Sequence, residues 1–257
     1  MSDLAARTWV CLCRPSDVRN VAGVIRAVAN FGLAGVKLVT EDHKLHDPDD
    51  LLAFSSGASK IVTLKVYPDI TSALTKASLA VGTSRRQRNH QHLTHLESCQ
   101  ITTALIDHES PHILFGNERT GLSHDELDLC HAIVELHSTS TFPSLNLAHA
   151  VACVAYELTR PRDIQSHHVS ATDSSALTAA LIPPVSTSIV EDEAFLNRVI
   201  EVSQRVKYPP SKSSERFARQ LRSLLRRARA TPGDYGLILG IFRELERLDS
   251  KHDRRET

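Results

Sequence analysis

The stretch Leu114-Phe115-Gly116-Asn117-Glu118-Arg119-Thr120-Gly121-Leu122 decides how the chain folds. The apolar run before it predicts a strand, and Ser123 with Glu126 three residues later predicts a helix start with a capping box. Gly116 permits a close backbone approach and Gly121 an unusual turn. Polar residues between two glycines at the carboxyl end of a strand predict a binding site in this loop.

Outward from this loop, strand-like runs alternate with helical patterns over about the first 160 residues. The predicted strands are Thr8–Cys13, Gly35–Val39, Ile61–Val66, Leu79–Val81, His112–Phe115 and Ala132–Leu136. The predicted helices are an amphipathic one with Val21, Val24, Ile25 and Val28 on one face and Gly32 at its end, then Asp47–Gly57, Asp69–Ala77 and Ser123–Leu129. Such alternation predicts an α/β fold with a parallel, helix-covered sheet.

The segment Ser144–Arg160 has almost no polar face, which predicts a deeply buried helix. Ser144 stands where a helix N-cap is expected. The amide of Asn146 would lie within the first turn of that helix, and a buried amide must find hydrogen-bond partners. Asn146 is therefore a candidate site residue.

Composition then shifts towards Pro, Ser, Thr and His, which predicts a linker over residues 161–188. Three helical patterns follow and predict a small helical domain over residues 189–250. They are Glu191–Val206, a stripe of Phe217, Leu221, Leu224 and Leu225, and a stripe of Leu237, Ile238, Ile241, Phe242, Leu245 and Leu248.

The charge balance restricts where nucleic acid could bind. The 257 residues include 30 Lys and Arg against 30 Asp and Glu, so a phosphate-binding surface must be a local patch. One candidate is the helical face of Arg219, Arg222, Arg226 and Arg229, opposite the apolar stripe, although an ordinary solvated face would share that spacing. A second candidate is formed by Arg85, Arg86 and Arg88.

Several other classes of protein and site find no support. Hydrophobic residues at 41% exclude wholesale disorder, and neither GxGxxG nor GxxxxGK[ST] occurs. The five cysteines are odd in number without a CxxC pair, which predicts small buried side chains in a reducing cytosol. No secretory leader or membrane-length apolar run is found, so we expect a cytoplasmic protein. The cluster His90, His92 and His95 lacks a further ligand pattern, and no metal is expected.

Taken in order, the motifs resemble the SPOUT class of RNA methyltransferases. The nearest likeness is to TrmH-like 2′-O-ribose methyltransferases, in particular tRNA (cytidine/uridine-2′-O-)-methyltransferases of the TrmJ type, and it spans nearly the whole chain. The segments that carry it are Asn20 to Arg26, Asn30-Phe-Gly-Leu33, Ser56-Gly-Ala58, Val81-Gly-Thr-Ser84, Phe115 to Leu122, Ser144-Leu-Asn-Leu147 and the helical extension with Leu224-Leu-Arg-Arg-Ala-Arg229.

This resemblance implies a SPOUT methyltransferase domain over residues 1–160, with a trefoil knot at about 112–160. It implies S-adenosyl-L-methionine (SAM) as cofactor and a homodimer that packs its knotted domains together, so that each active site draws on two subunits. The family's cofactor contacts fall on Thr83, Ser84, Arg85, Gly116, Leu136, Ser144, Leu145 and Asn146.

The resemblance also implies catalytic roles. We assign Arg26 to a clamp on the target phosphate that stabilises the developing alkoxide, because a guanidinium does not normally lose a proton in proteins. Asn20 would orient Arg26 or the ribose, and Glu118 would position an arginine or the substrate. Ser144 and Asn146 would hydrogen-bond the ribose.

Two departures from the family pattern affect the choice of substrate. Asn117 stands where relatives often carry arginine, and Ala22-Gly23 replaces the commoner Gly-Ser, which predicts a first loop of different shape. The expected function is SAM-dependent 2′-O-ribose methylation of RNA, with nucleotide 32 of the tRNA anticodon loop favoured. The alternatives are methylation of rRNA or of a base, a catalytically silent RNA-binding protein, and an enzyme acting on a small molecule.

Overall fold

The structure, a computed structural model, describes residues 2–84, 93–139, 141, 144–160, 188–205, 208, 214–228 and 230–253. The chain divides into two compact units, residues 1–184 and 185–257. The predicted linker at 161–188 lies almost wholly outside the described residues.

The first unit is built on a parallel sheet, as predicted. Its strands are β1 Trp9–Cys13, β2 Gly35–Val39, β3 Leu64–Tyr67, β4 Leu79–Ser84, β5 Thr94–Glu97, β6 Pro111–Phe115 and β7 Ala132–Glu135. They lie in the order β3-β2-β1-β6-β4-β7-β5, and every neighbouring pair is parallel. The sequence pattern does not predict β5, because Leu96 is its only buried residue and no apolar run marks it.

The helices of this unit are α1 Ser2–Arg7, α2 Val18–Phe31, α3 Pro48–Phe54, α4 Ile70–Ala73, α5 Ile101–Leu105, α6 His124–Asp128 and α7 Leu147–Thr159. The apolar stripe of α2 is buried as predicted, and the helix ends at Gly32 in the left-handed conformation. The capping box of Ser123 and Glu126 is confirmed. Helices α3 and α4 are shorter than their predicted segments, and α1 and α5 are additional to the predicted helices.

Helix α7 differs from its prediction in its start and in its burial. It begins at Leu147, with Asn146 as N-cap in place of Ser144. One face is buried through residues such as Val151 and Leu158, whereas Tyr156 is 56% exposed, so burial on all sides was wrong. Its buried face packs on α2, where a Cβ at Gly23 would lie 2.9 Å from Ala148 Cβ. Gly23, which departs from the family's Gly-Ser pattern, therefore lies in α2 at its contact with α7, and the predicted change in the shape of a loop was wrong.

The cysteine prediction holds for three of the five residues. Cys11, Cys13 and Cys130 are buried, but Cys99 and Cys153 are exposed. The neighbouring Cys11 thiol and burial raise the pKa of Cys13, which therefore stays protonated and unreactive. Within the described ranges, no helix combines the length and the hydropathy that crossing a membrane requires.

The second unit contains helices α8 Ile189–Arg205, α9 Ser214–Ala228 and α10 Pro232–Asp253. Its core is formed by Phe195, Val199 and Tyr235, against which Phe217, Leu221, Leu225, Ile238 and Phe242 pack. Only part of each predicted apolar stripe belongs to this core. Leu224, Leu237, Ile241 and Leu245 are more than half exposed.

Candidate active site

A cavity of about 380 Å³ lies where three neighbouring strands, β6, β4 and β7, reach their carboxyl ends. In a parallel sheet this edge is the usual position of a ligand site. The lining residues come from those strand ends, from the loop after β6 and from the approach to α7. They are Thr83, Ser84, Phe115, Gly116, Asn117, Glu118, Arg119, Thr120, Gly121, Leu122, Leu127, Leu136, Ser144, Leu145, Leu147 and Ala150.

The loop after β6 folds back on itself and forms one wall of the cavity. A Cβ at Gly116 would lie 2.1 Å from backbone atoms of Gly121 and Leu122, so only glycine fits there. The side-chain oxygen of Asn117 accepts hydrogen bonds from the backbone N–H of Arg119 (3.0 Å) and of Thr120 (3.3 Å). Asn117, the departure from the family's arginine, is therefore the residue that shapes this turn.

Arg14 ties this loop to β1 and α6. It has a positive φ of 54°, and its carbonyl accepts a 2.9 Å hydrogen bond from Asn117 Nδ2. Its guanidinium donates two 2.7 Å hydrogen bonds to the buried carboxylate of Glu126, an arrangement that raises the pKa of Arg14. Glu126 in turn accepts from the backbone N–H of Ser123. No local pattern marks Arg14, because its partner lies 112 positions away.

A chain of polar side chains joins this loop to α2 and α7. Glu118 Oε2 accepts from the backbone N–H (3.0 Å) and the hydroxyl (2.9 Å) of Ser16, and Oε1 accepts from Asn20 Nδ2 at 2.7 Å. Asn20 Oδ1 then accepts from Asn146 Nδ2 at 2.9 Å, and Asn146 Oδ1 caps α7 by accepting from Ala148 N. Because a carboxylate only accepts hydrogen bonds, Glu118 fixes the orientation of both amides.

Arg26 is not brought into this chain within one subunit. Asn20 is bound by Glu118 and Asn146 and does not orient Arg26, and Glu118 binds Ser16 and Asn20 in place of an arginine. Arg26 is exposed and donates to Ser56 Oγ at 3.3 Å. Six residues of helix separate Asn20 from Arg26 by about 9 Å along the axis and roughly 120° around it.

The family of the chain is shown by its likeness to known proteins. Residues 7–156 match the SpoU rRNA Methylase family. The chain belongs to this family. It is 30% identical over 241 residues to tRNA (cytidine/uridine-2′-O-)-methyltransferase TrmJ of Sodalis glossinidius, covering 92% of this chain and 90% of that protein. A TrmJ of Yersinia enterocolitica is 28% identical over 252 residues, with 95% and 93% covered.

Solved structures share the fold of this SpoU methylase. The crystal structure of TrmJ from Z. mobilis ZM4 superposes with a TM-score of 0.76 at 24% identity, covering 93% of this chain and 99% of that one. A probable methylase family protein from Haemophilus influenzae gives a TM-score of 0.55 at 25% identity, with coverage of 98% and 100%. The chain is thus a SAM-dependent RNA methyltransferase, as the resemblance implied.

The cavity suits SAM. Its volume lies in the range of small-molecule sites, about 300–1,000 Å³. Leu122, Leu127, Leu136 and Leu147 offer an apolar wall to an adenine ring, while the backbone of the Gly116–Leu122 loop offers polar groups to the rest of the molecule. The residue types therefore fit a cofactor that combines an aromatic base with a charged amino acid.

Most residues expected to bind the cofactor line this cavity. Thr83, Ser84, Gly116, Leu136, Ser144 and Leu145 do so. Asn146 stands beside them as the cap of α7. Arg85, with Arg86 and Arg88, lies outside the described residues. Arg119 and Leu147 belong to quoted motifs and also line the cavity, although the sequence assigns them no role, whereas nothing local marks Leu127 as a lining residue.

The predicted arginine face of α9 needs one correction. Arg222 donates two 2.7 Å hydrogen bonds to Glu193 of α8, and both side chains are only 17% exposed. Arg222 therefore joins two helices and is not an open phosphate contact. Arg219 is partly buried, whereas the side chain of Arg226 and all of Arg229 lie outside the described residues. Arg216, on the same helix, is exposed.

The structure gives little further information on the histidines. His95 lies on β5, whereas His90 and His92 fall outside the described residues. Among the residues that are described, no group of three His, Cys, Asp or Glu side chains could hold a metal ion.

Proposed function

We propose that the protein transfers a methyl group from SAM to a ribose 2′-hydroxyl of tRNA. The observation that carries the proposal is the hydrogen-bonded chain of Glu118, Asn20 and Asn146 at the edge of the cavity. It holds an amide of fixed polarity beside Ser144, next to the space that suits the cofactor. The TrmJ relatives, named as cytidine/uridine-2′-O tRNA methyltransferases, support the same activity.

In this proposal SAM supplies, when bound, an electrophilic methyl group on its sulfonium sulfur. We assign Thr83, Ser84, Gly116, Leu136 and Leu145, which line the cavity, to the cofactor. Arg85, the further contact expected from the sequence, lies outside the described residues. Ser144 and Asn146 hydrogen-bond the ribose and keep its 2′-hydroxyl in line with the methyl carbon, which lowers the entropic part of the barrier. Glu118 acts through the amides, as an acceptor that sets their direction.

Arg26 is proposed to clamp the target phosphate and stabilise the developing alkoxide, while a phosphate oxygen or water accepts the proton. Its exposed position away from the cavity of its own subunit favours a site shared across a homodimer, in which Arg26 serves the partner's cavity. The exposed face of α7, with Tyr156 and Cys153, is a suitable surface for pairing the two methyltransferase domains.

A trefoil knot at about 112–160 is part of the proposal. Strand β7 lies between β4 and β5 in the sheet. Helix α7, which follows β7, nevertheless packs against α2, the helix that connects β1 and β2. A passage of the chain between β7 and α7 through an earlier loop would form the knot. The cytoplasm, where tRNA is found, is the proposed location.

The target we propose is nucleotide 32 of the anticodon loop. We assign the helical domain to residues 189–250, after a linker at 161–188. In this proposal it binds the phosphate backbone of the tRNA. Arg216 is exposed on α9, which also carries Arg219 and Arg226, and Arg229 follows this helix in the sequence. Phosphate contacts of this kind add affinity without reading sequence.

The test is transfer of labelled methyl from SAM to total tRNA and, separately, to rRNA, followed by nucleoside digestion and mapping. We expect a 2′-O-methylated pyrimidine nucleoside from position 32 of tRNA. A base methyl, label in rRNA alone, or no label would each refute the proposal and point to one of the alternatives.

A further inference from the structure

Three lysines gather on the half of the sheet formed by β1, β2 and β3, away from the cavity. Lys37 of β2 is only 5% exposed, and its ammonium donates a hydrogen bond to the carbonyl of Ala73 on α4. Lys65 of β3 stands beside it in register. Lys65 and Lys76 are both exposed. Burial has the largest effect on the pKa of Lys37 and lowers it, and the charges of Lys65 and Lys76 lower it further.

The lysines share an aromatic platform. The ammonium groups of Lys37 and Lys65 lie 5.5 Å and 4.9 Å from the centre of the Trp9 ring, and Lys37 lies 5.6 Å from that of Tyr67. Gly35 makes room for the indole, because a Cβ there would come within 2.8 Å of Trp9 Cζ3. Trp9 is therefore held under two cations, a favourable arrangement in itself.

The cluster has no anionic partner among the described residues. None of the three lysines forms an ion pair there, and the charges that act on Lys37 include no carboxylate. On the other side of Trp9, His112 stacks at 6.4 Å, and its buried Nε2 has no hydrogen-bond partner. Its pKa is lowered to about 3 by burial and by the charge of Lys37, so the ring is neutral and offers no negative charge.

We propose that Lys65 and Lys76 bind backbone phosphates of the RNA substrate, while the buried Lys37 adds its positive charge from beneath and Trp9 is the platform that holds the ammonium groups of Lys37 and Lys65. Mutually repelling cations gain most from a dianionic or polyanionic ligand, and RNA is the polyanion on which a methylase of this family acts. The cluster lies about 14 Å from the edge of the cavity across the sheet, which is three strand spacings, and about 7 Å from it along the strands. The backbone of one RNA stem-loop can span that distance.

The inference rests on the proposed RNA substrate, and the chain offers a direct reporter for it. Trp9 is the only tryptophan in the protein, so its fluorescence reports on this cluster alone. The full-length protein is titrated with total tRNA and, separately, with inorganic tripolyphosphate. The variants are Lys65→Gln/Lys76→Gln and a control of equal charge, Lys44→Gln/Lys60→Gln, which changes exposed lysines elsewhere in the same unit.

We expect tRNA and tripolyphosphate to change the Trp9 emission of the wild type in a saturable way. The Lys65→Gln/Lys76→Gln variant should lose this response and bind tRNA about 10- to 30-fold more weakly at 0.1 M salt, with a salt slope shallower by about 1.5. Its thermal unfolding temperature should change little, because the loss of the Lys65–Trp9 contact is offset by the repulsion that the change relieves. Its KM for tRNA should rise while its affinity for SAM stays unchanged.

The inference would be overturned if wild-type protein bound tRNA without any change in its Trp9 fluorescence. It would also be overturned if the Lys65→Gln/Lys76→Gln variant had the same tRNA affinity and Trp9 response as its control. Loss of subunit association in the variant, measured by sedimentation, would overturn it too, since the cluster would then be a protein interface. A failure of the proposed function is distinguishable from these outcomes. In that case no 2′-O-methyl would appear in tRNA, although Trp9 would still respond to RNA.

Discussion

Replacing Glu118 with glutamine should disturb the site through hydrogen-bond polarity alone. Glu118 accepts three hydrogen bonds, two from Ser16 and one from Asn20 Nδ2 at 2.7 Å. Glutamine has nearly the same shape but offers one oxygen and one NH₂ group. If the oxygen stays with Ser16, the new NH₂ faces the NH₂ of Asn20, and two donors meet.

The mismatch then passes along the chain of side chains. Asn20 can satisfy the new donor only by turning its amide over, which presents its NH₂ to the NH₂ of Asn146. Asn146 must then turn as well, and its NH₂ faces the N–H of Ala148, so the N-cap of α7 is lost. A lost N-cap costs about 1 kcal/mol, and a lost hydrogen bond to a charged group about 1.5–3 kcal/mol. These two costs are alternatives, because the amides either turn and lose the N-cap or stay and lose the hydrogen bond to Glu118. We therefore expect a loss of about 1–2 kcal/mol, equivalent to about 5- to 30-fold in SAM affinity at about 1.4 kcal/mol per tenfold.

Calorimetry with SAM, single-turnover methyl transfer and thermal unfolding should measure this loss in Glu118→Gln. The Glu118→Gln/Asn20→Asp variant restores every donor–acceptor pair, since the introduced carboxylate would accept from both the new glutamine and Asn146. It should recover the SAM affinity and unfolding temperature that Glu118→Gln loses, whereas Asn20→Asp alone should set two carboxylates against each other. The exposed Glu41→Gln is the control. Wild-type behaviour of Glu118→Gln, or no recovery in the double variant, would refute the reasoning.

Four further predictions follow from other parts of the chain. Arg26→Ala should abolish methyl transfer but keep SAM affinity by calorimetry, and wild-type turnover would contradict its role. His112 has a pKa of about 3 in the folded protein against an ordinary value of 6.5, so only the unfolded chain takes up a proton there as the pH falls below 6.5. The wild type should therefore lose about 2 kcal/mol of unfolding free energy between pH 7 and pH 5. Denaturant titration should show a clearly smaller loss for His112→Leu. Arg222→Gln should cost about 1–2 kcal/mol of stability without changing the salt slope of tRNA binding, and Arg216→Gln should do the reverse, lowering the slope by about 1. Removing residues after 165 should leave a folded dimer that binds SAM but holds tRNA weakly, and undiminished tRNA methylation would contradict this.

Features that depend on neighbours in sequence could be predicted. The buried stripe of α2 follows from a spacing of three and four residues, and Gly32 ends that helix by its own backbone freedom. The capping box of Ser123 and Glu126 closes within one helical turn. Because apolar strands alternate with helices, the parallel sheet could be predicted as well.

Features that depend on partners far away in the sequence could not be predicted. Arg222 has the spacing of an exposed basic face, but Glu193 on another helix pairs with it. Leu224 fits an apolar stripe, yet the helix presents it to solvent while Leu221 and Leu225 meet the core. Arg14 and Ser16 act on residues more than 100 positions away, and nothing near them in sequence marks them.

The topology of the sheet explains why the site is built from such distant segments. Strand β1 pairs directly with β6, so the residues after each strand emerge side by side, and Ser16 and Asn20 reach Glu118 over 102 and 98 positions. Helix α7 packs on α2 and brings Asn146 to Asn20 across 126 positions. The amides at the edge of the cavity can therefore take their orientation only when the first and last segments of this unit are both in place. A variant that breaks this contact should accordingly lower the SAM affinity and the stability of the unit together, each by about 1–2 kcal/mol.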